Sequence, residues 1–216
     1  MTEHYILMGD VIRSRNLQAV KLHEQMKALL SACNKDLKTA ILSPYTTTLG
    51  DEFQGIAASL RATLECIFYI EDTRMQRQYD FEVRYVVLYG EIETAINKEI
   101  AYGMMGAGLS RARELLTDKK RGRPRFQFEL PQKQLEENLT RLFRVMEGLE
   151  ERWDRRDYPL ILDMLSIPNN EKVAVKYGKN RSQIWKRRKN LLIEEYQLIR
   201  TIALSLIDTE GEKAKK

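Results

Sequence analysis

The sequence is poor in the residues that build covalent or metal frameworks. It has 216 residues, of which only two are cysteine (Cys33 and Cys66) and two histidine (His4 and His23). Two cysteines cannot form a disulfide scaffold or a four-cysteine zinc site, and two histidines exclude a histidine-rich metal centre. Any Ser-His-Asp triad would rest on one of those two. No apolar run reaches the ~18–20 residues that span a bilayer, and Met1-Thr2-Glu3-His4-Tyr5 has no basic region of the kind that opens a secretory signal. These absences point to a cytoplasmic protein without a membrane segment and with reduced thiols.

Hydrophobic residues make up 43% of the chain and charged residues 31%, so a sizeable core is possible and wholesale disorder is not expected. The formal charge is +5, but it is unevenly spread. Residues 1–118 carry 13 Lys+Arg against 16 Asp+Glu, whereas residues 119–216 carry 23 against 15. The acidic part is suited to cations and the basic part to a polyanion.

Hydrophobic spacing predicts a strand at 4–8, an amphipathic helix at 17–37, and a hairpin formed by 45–49 and 53–58 around Gly50-Asp51-Glu52. A helix at 59–74, a strand at 81–89, a glycine-rich turn (103–108) into a helix at 109–118, and a strand at 125–130 follow. Pro124 places that last strand at a sheet edge. From Pro131 the pattern is helical: about seven turns over 131–156, a helix from Pro159, a short helix at 171–178, and one long helix from Arg181 to about Asp208. The expected division is a palm-like α+β domain at 1–130, a connecting helix at 131–156, a helix-turn-helix module at 157–208 and a frayed tail at 209–216.

Two segments share the pattern of apolar strand, glycine, aspartate: Leu7-Met8-Gly9-Asp10 and Leu49-Gly50-Asp51-Glu52. If their strands are neighbours, the carboxylates project from one end of the sheet. Mg²⁺ favours such a set of one or two carboxylates completed by substrate phosphates, although Gly-Asp at a strand end is also ordinary turn chemistry. Arg13, Ser14 and Arg15 open the first helix, where backbone N–H groups and guanidinium attract phosphate; the alternative is a solvated helix start. Gly103 and Gly106 lead toward Arg111 and Arg113, either as a phosphate-binding turn or as a simple tight turn, with Tyr102 read as a packed aromatic. Lys119-Lys120-Arg121-Gly122-Arg123-Pro124-Arg125 contains an Arg-Gly-Arg-Pro core of the type that enters narrow minor grooves, or forms a plain basic loop.

Residues 171–189 have the spacing of a helix-turn-helix, with Ala174 at the helix contact, Gly178 in the turn and Ile184 packing back. Residues 171–200 hold nine Lys+Arg and three Glu. Arg181, Ser182, Gln183, Lys186, Arg187 and Lys189 are the candidate contacts to double-stranded DNA. The alternative is a solvated basic helix with Trp185 in the core. The apolar stripe Tyr196, Ile199, Ala203, Leu206 runs past this segment and needs a partner, either the 131–156 helix or a second subunit.

The motifs Met8-Gly9-Asp10-Val11-Ile12-Arg13-Ser14-Arg15 and Leu49-Gly50-Asp51-Glu52-Phe53-Gln54-Gly55 resemble the SatD-like family of bacterial proteins. The N-terminal part also resembles the palm of nucleotidyl cyclases and GGDEF proteins, with a single glycine before Asp51-Glu52-Phe53. The resemblance implies a ferredoxin-like, cyclase-like palm followed by an all-α helix-turn-helix module. By position it implies metal binding (Mg or Mn) at Asp10 and Asp51, with Glu52 as a third ligand, a nucleotide ligand, and a homodimer, since such palms share sites between subunits. The leading expectation is a DNA-binding regulator of transcription with a nucleotide- and magnesium-binding domain. The alternatives are a nucleotidyl cyclase or nucleotidyltransferase using two metal-binding aspartates, and a non-catalytic interaction protein.

Overall fold

The first strand organises the rest. In the computed structural model, which describes residues 2–12, 18–48, 50–118 and 122–213 (side chains to 208), β1 runs from Thr2 to Ile12. Its side chains alternate between two apolar layers. Leu7 and Val11 enter one core cluster, and Ile6 and Met8 enter another. Gly9 lies between these contacts because a Cβ there would sit 2.4 Å from the Phe53 ring and 2.8 Å from the Arg84 carbonyl oxygen.

The chain continues through α1 (Ala19–Asp36), β2 (Ile41–Thr47), β3 (Glu52–Ala57), α2 (Leu60–Gln76), β4 (Glu82–Ile92), α3 (Ala107–Thr117) and β5 (Phe126–Glu129). The sheet order is β2-β3-β1-β4-β5. β1 pairs antiparallel with β3 and β4, and β5 joins parallel to β4 as an edge strand. The segment β1-α1-β2-β3-α2-β4 is thus a ferredoxin-like split βαβ arrangement. α1 and α2 cover the Leu7 face, and α3 covers the Ile6 face through Leu109, Ala112 and Leu116. Ser59 caps α2 by accepting a hydrogen bond from the Ala62 amide.

Five helices complete the chain: α4 (Lys133–Glu150), α5 (Tyr158–Ser166), α6 (Asn170–Lys176), α7 (Arg181–Asn190) and α8 (Ile193–Lys213). Phe143 of α4 packs on Phe68, Phe126 and Phe128. One apolar cluster then runs continuously from Leu7 of the sheet to Ala203 of α8. The Tyr196, Ile199, Ala203 stripe is covered within the chain, where α8 packs against α4.

Three helix boundaries differ from the sequence expectation. The 131–156 helix ends at Glu150, and 155–157 form a separate 3₁₀ turn. The helix expected to run unbroken from Arg181 divides at Leu191-Leu192. Leu192 adopts φ +55°, a left-handed backbone that non-glycine residues rarely enter. The reversal lets Leu191 and Ile193 both point into the core, and the freed Leu191 carbonyl accepts from Trp153 Nε1 at 2.9 Å. Beyond Asp208, where the sequence ends the helix, α8 continues to Lys213.

A buried ionic cluster ties the sheet to these helices. Glu71 of α2 accepts from Tyr85 at 2.7 Å and from Arg74 at 2.8 Å, and it ion-pairs with Arg125 just before β5. Arg125 also donates to Glu150 of α4 at 2.5 Å and to the Val83 carbonyl at 2.8 Å. Glu150 in turn accepts from Tyr196 of α8 at 2.7 Å. Burial alone would raise the Glu71 carboxyl, but Arg125 and Arg74 with the Tyr85 hydroxyl hold it down at about 2. Burial raises Glu150, whose single guanidinium partner offsets it less. Arg125, which the sequence places in a basic loop, is therefore an interior residue.

Replacing Arg125 strands two buried carboxylates with one guanidinium between them. Arg125→Met is expected to lower the unfolding free energy by about 3–5 kcal/mol, read from the urea midpoint. Tyr196→Phe removes one hydrogen bond and is expected to cost about 1 kcal/mol. Equal losses in the two variants would show that Arg125 is not the centre of the cluster.

Candidate functional site

Asp10 follows Ile6 and Met8 onto the α3 face of β1, by the two-residue period of a strand. Its register partners are Glu52 on β3 and Arg84 on β4, and Asp51 occupies the turn before β3. Asp10 Oδ2 accepts from Arg84 Nη2 at 3.0 Å. Among the described residues, Asp10 Oδ1 is buried and has no partner, and the same holds for Arg84 Nε. Burial pushes the Asp10 carboxyl up to about 6; Arg84 pulls it down, while Asp51 and Glu52 push it further up. Glu52 beside Asp10 in the sheet and Asp51 in the adjoining turn thus lie at the same end of the sheet as Asp10.

Arg123 belongs to the same constellation. It donates to the Leu116 carbonyl at 3.3 Å and to Gln127 Oε1 at 2.7 Å, and its Nε is buried without a partner. Its guanidinium is lowered first by burial and then by neighbouring Arg84, while Asp118 and Asp10 act in the opposite sense. Asp10, Arg84 and Arg123 thus each keep one unused buried polar atom. Such atoms are costly unless something satisfies them. Arg123 stands out in the sequence only as part of the Arg-Gly-Arg-Pro core, read there as a groove-binding or loop cation, and Arg84 belongs to no motif. Arg84 had a detectable signal, since it shares a strand face with Val86 and Leu88, where an unpartnered charge would be expensive.

Among the described residues no group of three or more His, Cys, Asp or Glu side chains is arranged to hold a metal ion, so Asp10, Asp51 and Glu52 are not a closed three-carboxylate cage. They offer one unpaired oxygen with further negative charge nearby. That donor set fits a hard cation that keeps several waters and takes the rest of its shell from phosphate. Beside it, Ala19, Val20, Leu22, His23, Glu24, Gly50 and Asp51 line a mainly apolar pocket of about 610 Å³. A larger cavity of about 940 Å³ lies between α2, α5, α6 and α8, but its charged walls are already paired, Asp72 with Arg200 and Asp163 with Lys176.

The other expected phosphate groups do not join this site. Arg13, Ser14 and Arg15 lie outside the described residues. Gly106 packs against β4, where a Cβ would meet the Glu91 carbonyl oxygen at 2.5 Å. That contact is level with the Thr2 end of β1, since Thr2 faces Ile92 whereas Asp10 faces Arg84. At ~3.3 Å per residue the two ends are about 26 Å apart. Tyr102 and Gly103 are exposed, so Tyr102 is not packed as expected, although the adjoining Ala101 is hydrogen-bonded to Thr46 and to Gln54, which faces Met8 of β1. Arg111 is held on the surface by Glu129 at 2.9 Å, and Arg113 shares its helix without reaching the carboxylates by any hydrogen bond or ion pair. In the basic loop, 119–121 lie outside the described residues, and Arg123 turns inward, so the Arg-Gly-Arg-Pro core does not present two free arginines.

α6 and α7 are short helices joined by 177–180. Asn169 caps α6, and Asn180 caps α7 in a capping box with Gln183. The box engages two of the expected DNA contacts: Gln183 Oε1 accepts from the Asn180 amide, and the Ser182 hydroxyl donates to Asn180 Oδ1. Arg187 is paired with Asp157 and Lys189 with Glu194. Arg188 is buried and donates to the Met164 and Ile167 carbonyls and to Asn170, fastening α7 to α5. Arg181 and Lys186, like Lys172 and Lys179 on the preceding helix and turn, are exposed and make no ion pair among the described residues. Trp185 is not in the core. It is 55% exposed, because Ile184 and Arg188 define the buried face and residue 185 lies about 100° round from Ile184.

The model of the SatD family matches residues 4–207, and the chain belongs to that family. No curated protein matches the sequence. Among solved structures, the monomeric guanylyl cyclase domain of the RhoGC fusion protein from the aquatic fungus Blastocladiella emersonii is similar over 55% of this chain and 78% of its own, with 11% identity and a TM-score of 0.37. The guanylyl cyclase Cya2 is similar over 53% of this chain and 69% of its own, with 14% identity and a TM-score of 0.35.

The raised Asp10 carboxyl fixes the sign of a pH effect. A carboxyl that binds its proton more tightly when folded stabilises the fold below the unfolded pKa near 4, and that contribution is lost as pH rises through about 6. Asp10→Asn is therefore expected to raise the apo melting temperature by about 2–4 °C at pH 7.5, a gain that disappears at pH 4.5. A melting temperature unchanged at both pH values would mean that Asp10 is not held up by its surroundings.

Proposed function

We propose that this SatD-family protein is a regulator that binds double-stranded DNA through α6 and α7 and takes a nucleotide with Mg²⁺ or Mn²⁺ at the Asp10 end of its sheet. The observation that carries the DNA reading is the outer surface of the helix pair. Once internal pairs are removed, Lys172, Lys179, Arg181 and Lys186 remain exposed there and unpaired among the described residues. Glu171 is the one acidic residue between positions 169 and 193. A helix-turn-helix presents the start and outer face of its second helix to the major groove, and α7 is the second helix of this pair, with a capped and exposed start.

The nucleotide reading is supported by a separate observation, the three unused polar atoms on Asp10, Arg84 and Arg123. A cation on the Asp10 side and phosphate oxygens on the arginine side would satisfy all three, since Arg is matched to phosphate geometry. The apolar pocket adjoining Asp51 has room for a base. In such a complex the carboxylates hold the cation, and Arg84 and Arg123 orient the phosphates.

A homodimer accords with this reading, because two copies of α7 would meet two half-sites. α8 leaves Leu198 and Ile202 exposed for such a contact.

The test is duplex binding by the full chain, followed by fluorescence anisotropy at two salt concentrations. Four phosphate contacts per chain imply a loss of roughly 10²-fold between 50 and 200 mM salt. Lys186→Ala is expected to weaken binding on all sequences and to lower the salt slope by about one. Arg141→Ala, on the remote helix α4, is expected to change neither. No duplex binding at ~50 mM salt, or equal effects of the two variants, would overturn the assignment.

A further inference from the structure

An indole in the middle of a cationic helix face requires an explanation of its own. Trp185 is the fifth residue of α7. Arg181 and Lys189 stand one turn to either side and Lys186 is its neighbour, all exposed. Tryptophan is among the residues most enriched at interfaces and at the few positions that carry binding energy. The turn of helix that carries Trp185 is anchored. Its neighbours Ile184 and Arg188 are buried, and Arg188 is fastened by three hydrogen bonds to α5 and α6.

The chemistry of the side chain limits what it can read. Indole has a single N–H donor and no acceptor, so it cannot make the bidentate pairs by which Arg reads guanine or Asn and Gln read adenine. The hydrogen-bonding residues beside it are largely committed elsewhere, because Ser182 and the Gln183 carbonyl oxygen serve the Asn180 cap. What Trp185 offers is apolar area. In the major groove the one apolar group on a base edge is the C5-methyl of thymine.

We infer that Trp185 is a base-contacting residue of the DNA surface and that it selects thymine by packing against the C5-methyl group. This rests on the DNA reading above and adds to it a sequence preference that charge alone does not supply. Arg181 and Lys186, on either side, hold the phosphates that fix the indole over the base edge.

The test replaces thymine by deoxyuridine, which keeps every Watson–Crick hydrogen bond and removes only the methyl. A duplex is first selected from a random pool by the full-length protein at ~50 mM salt, a condition that favours phosphate contacts. Each thymine is then replaced in turn, and Kd is measured for the wild type and for Trp185→Ala. At one or two positions the wild type is expected to lose on the order of fourfold, the worth of one buried methyl group. Trp185→Ala is expected to bind more weakly overall and to show no loss at those same positions, the signature of a direct contact in a double-mutant cycle. If the wild type binds the selected duplex but is indifferent to deoxyuridine everywhere, the thymine contact is wrong and the DNA reading stands. If both proteins lose equally at a position, some residue other than Trp185 reads it. If no duplex is selected at all, the DNA reading fails and the inference fails with it. The wild-type deoxyuridine series is informative even if the variant proves unstable.

Discussion

Arg125 is the residue on which the two ends of the molecule depend. Its guanidinium is interior, and it bridges Glu71 on α2 and Glu150 on α4 while donating to the β4 backbone. Tyr85 and Tyr196 extend the cluster to β4 and α8. Two carboxylates and two guanidiniums make the set neutral, which is the condition for keeping four ionised groups out of water. Apolar packing would hold α4 against the sheet without fixing its register as closely. A cluster whose members must all be paired allows one docking geometry, because any slip leaves a buried charge unpartnered.

The same rigidity explains how the candidate ligand site can keep three polar atoms unsatisfied. β1 is paired with β4 along its length and with β3 from Tyr5 to Asp10, and Phe53 lies against Gly9 where any side chain would collide. The backbones of Asp10, Glu52 and Arg84 are therefore held side by side by strand register. Arg123 is only two residues from Arg125, so its backbone is anchored by the buried cluster. The unused hydrogen-bonding capacity of the site is set by the frame, and a ligand that fills it has little protein reorganisation to overcome.

The parts of this fold that were legible in the sequence are those governed by local periodicity and punctuation. The strand at β4 and the helix at α2 follow from their apolar spacing. The juxtaposition of Asp10 and Asp51 follows from the repeated strand-Gly-Asp pattern once the strands are adjacent. What stayed hidden depends on contacts distant in sequence. The break at Leu192 carries no glycine or proline and exists because Leu191, Ile193 and Trp153 compete for the same core. The distance of Gly106 from Asp10 follows from the direction in which α3 crosses the sheet, which no motif encodes. Arg123 and Arg125 look alike in a basic loop, yet one faces the candidate site and the other the core.

Charge shows the same limit most clearly. A count over 171–200 describes a uniformly basic segment, but its cations have three different roles. Arg188 is a structural donor to two carbonyls, and Arg187 and Lys189 are tied to acids of neighbouring elements. Arg181 and Lys186 are left facing solvent on either side of Trp185. The surface that remains is smaller than composition implies, and its centre is apolar. A polyanion bound by charge alone would not need that indole, whereas a partner recognised by the shape and chemistry of a base edge would. Under the proposed DNA reading, the cations set where α7 lies and Trp185 sets what it distinguishes.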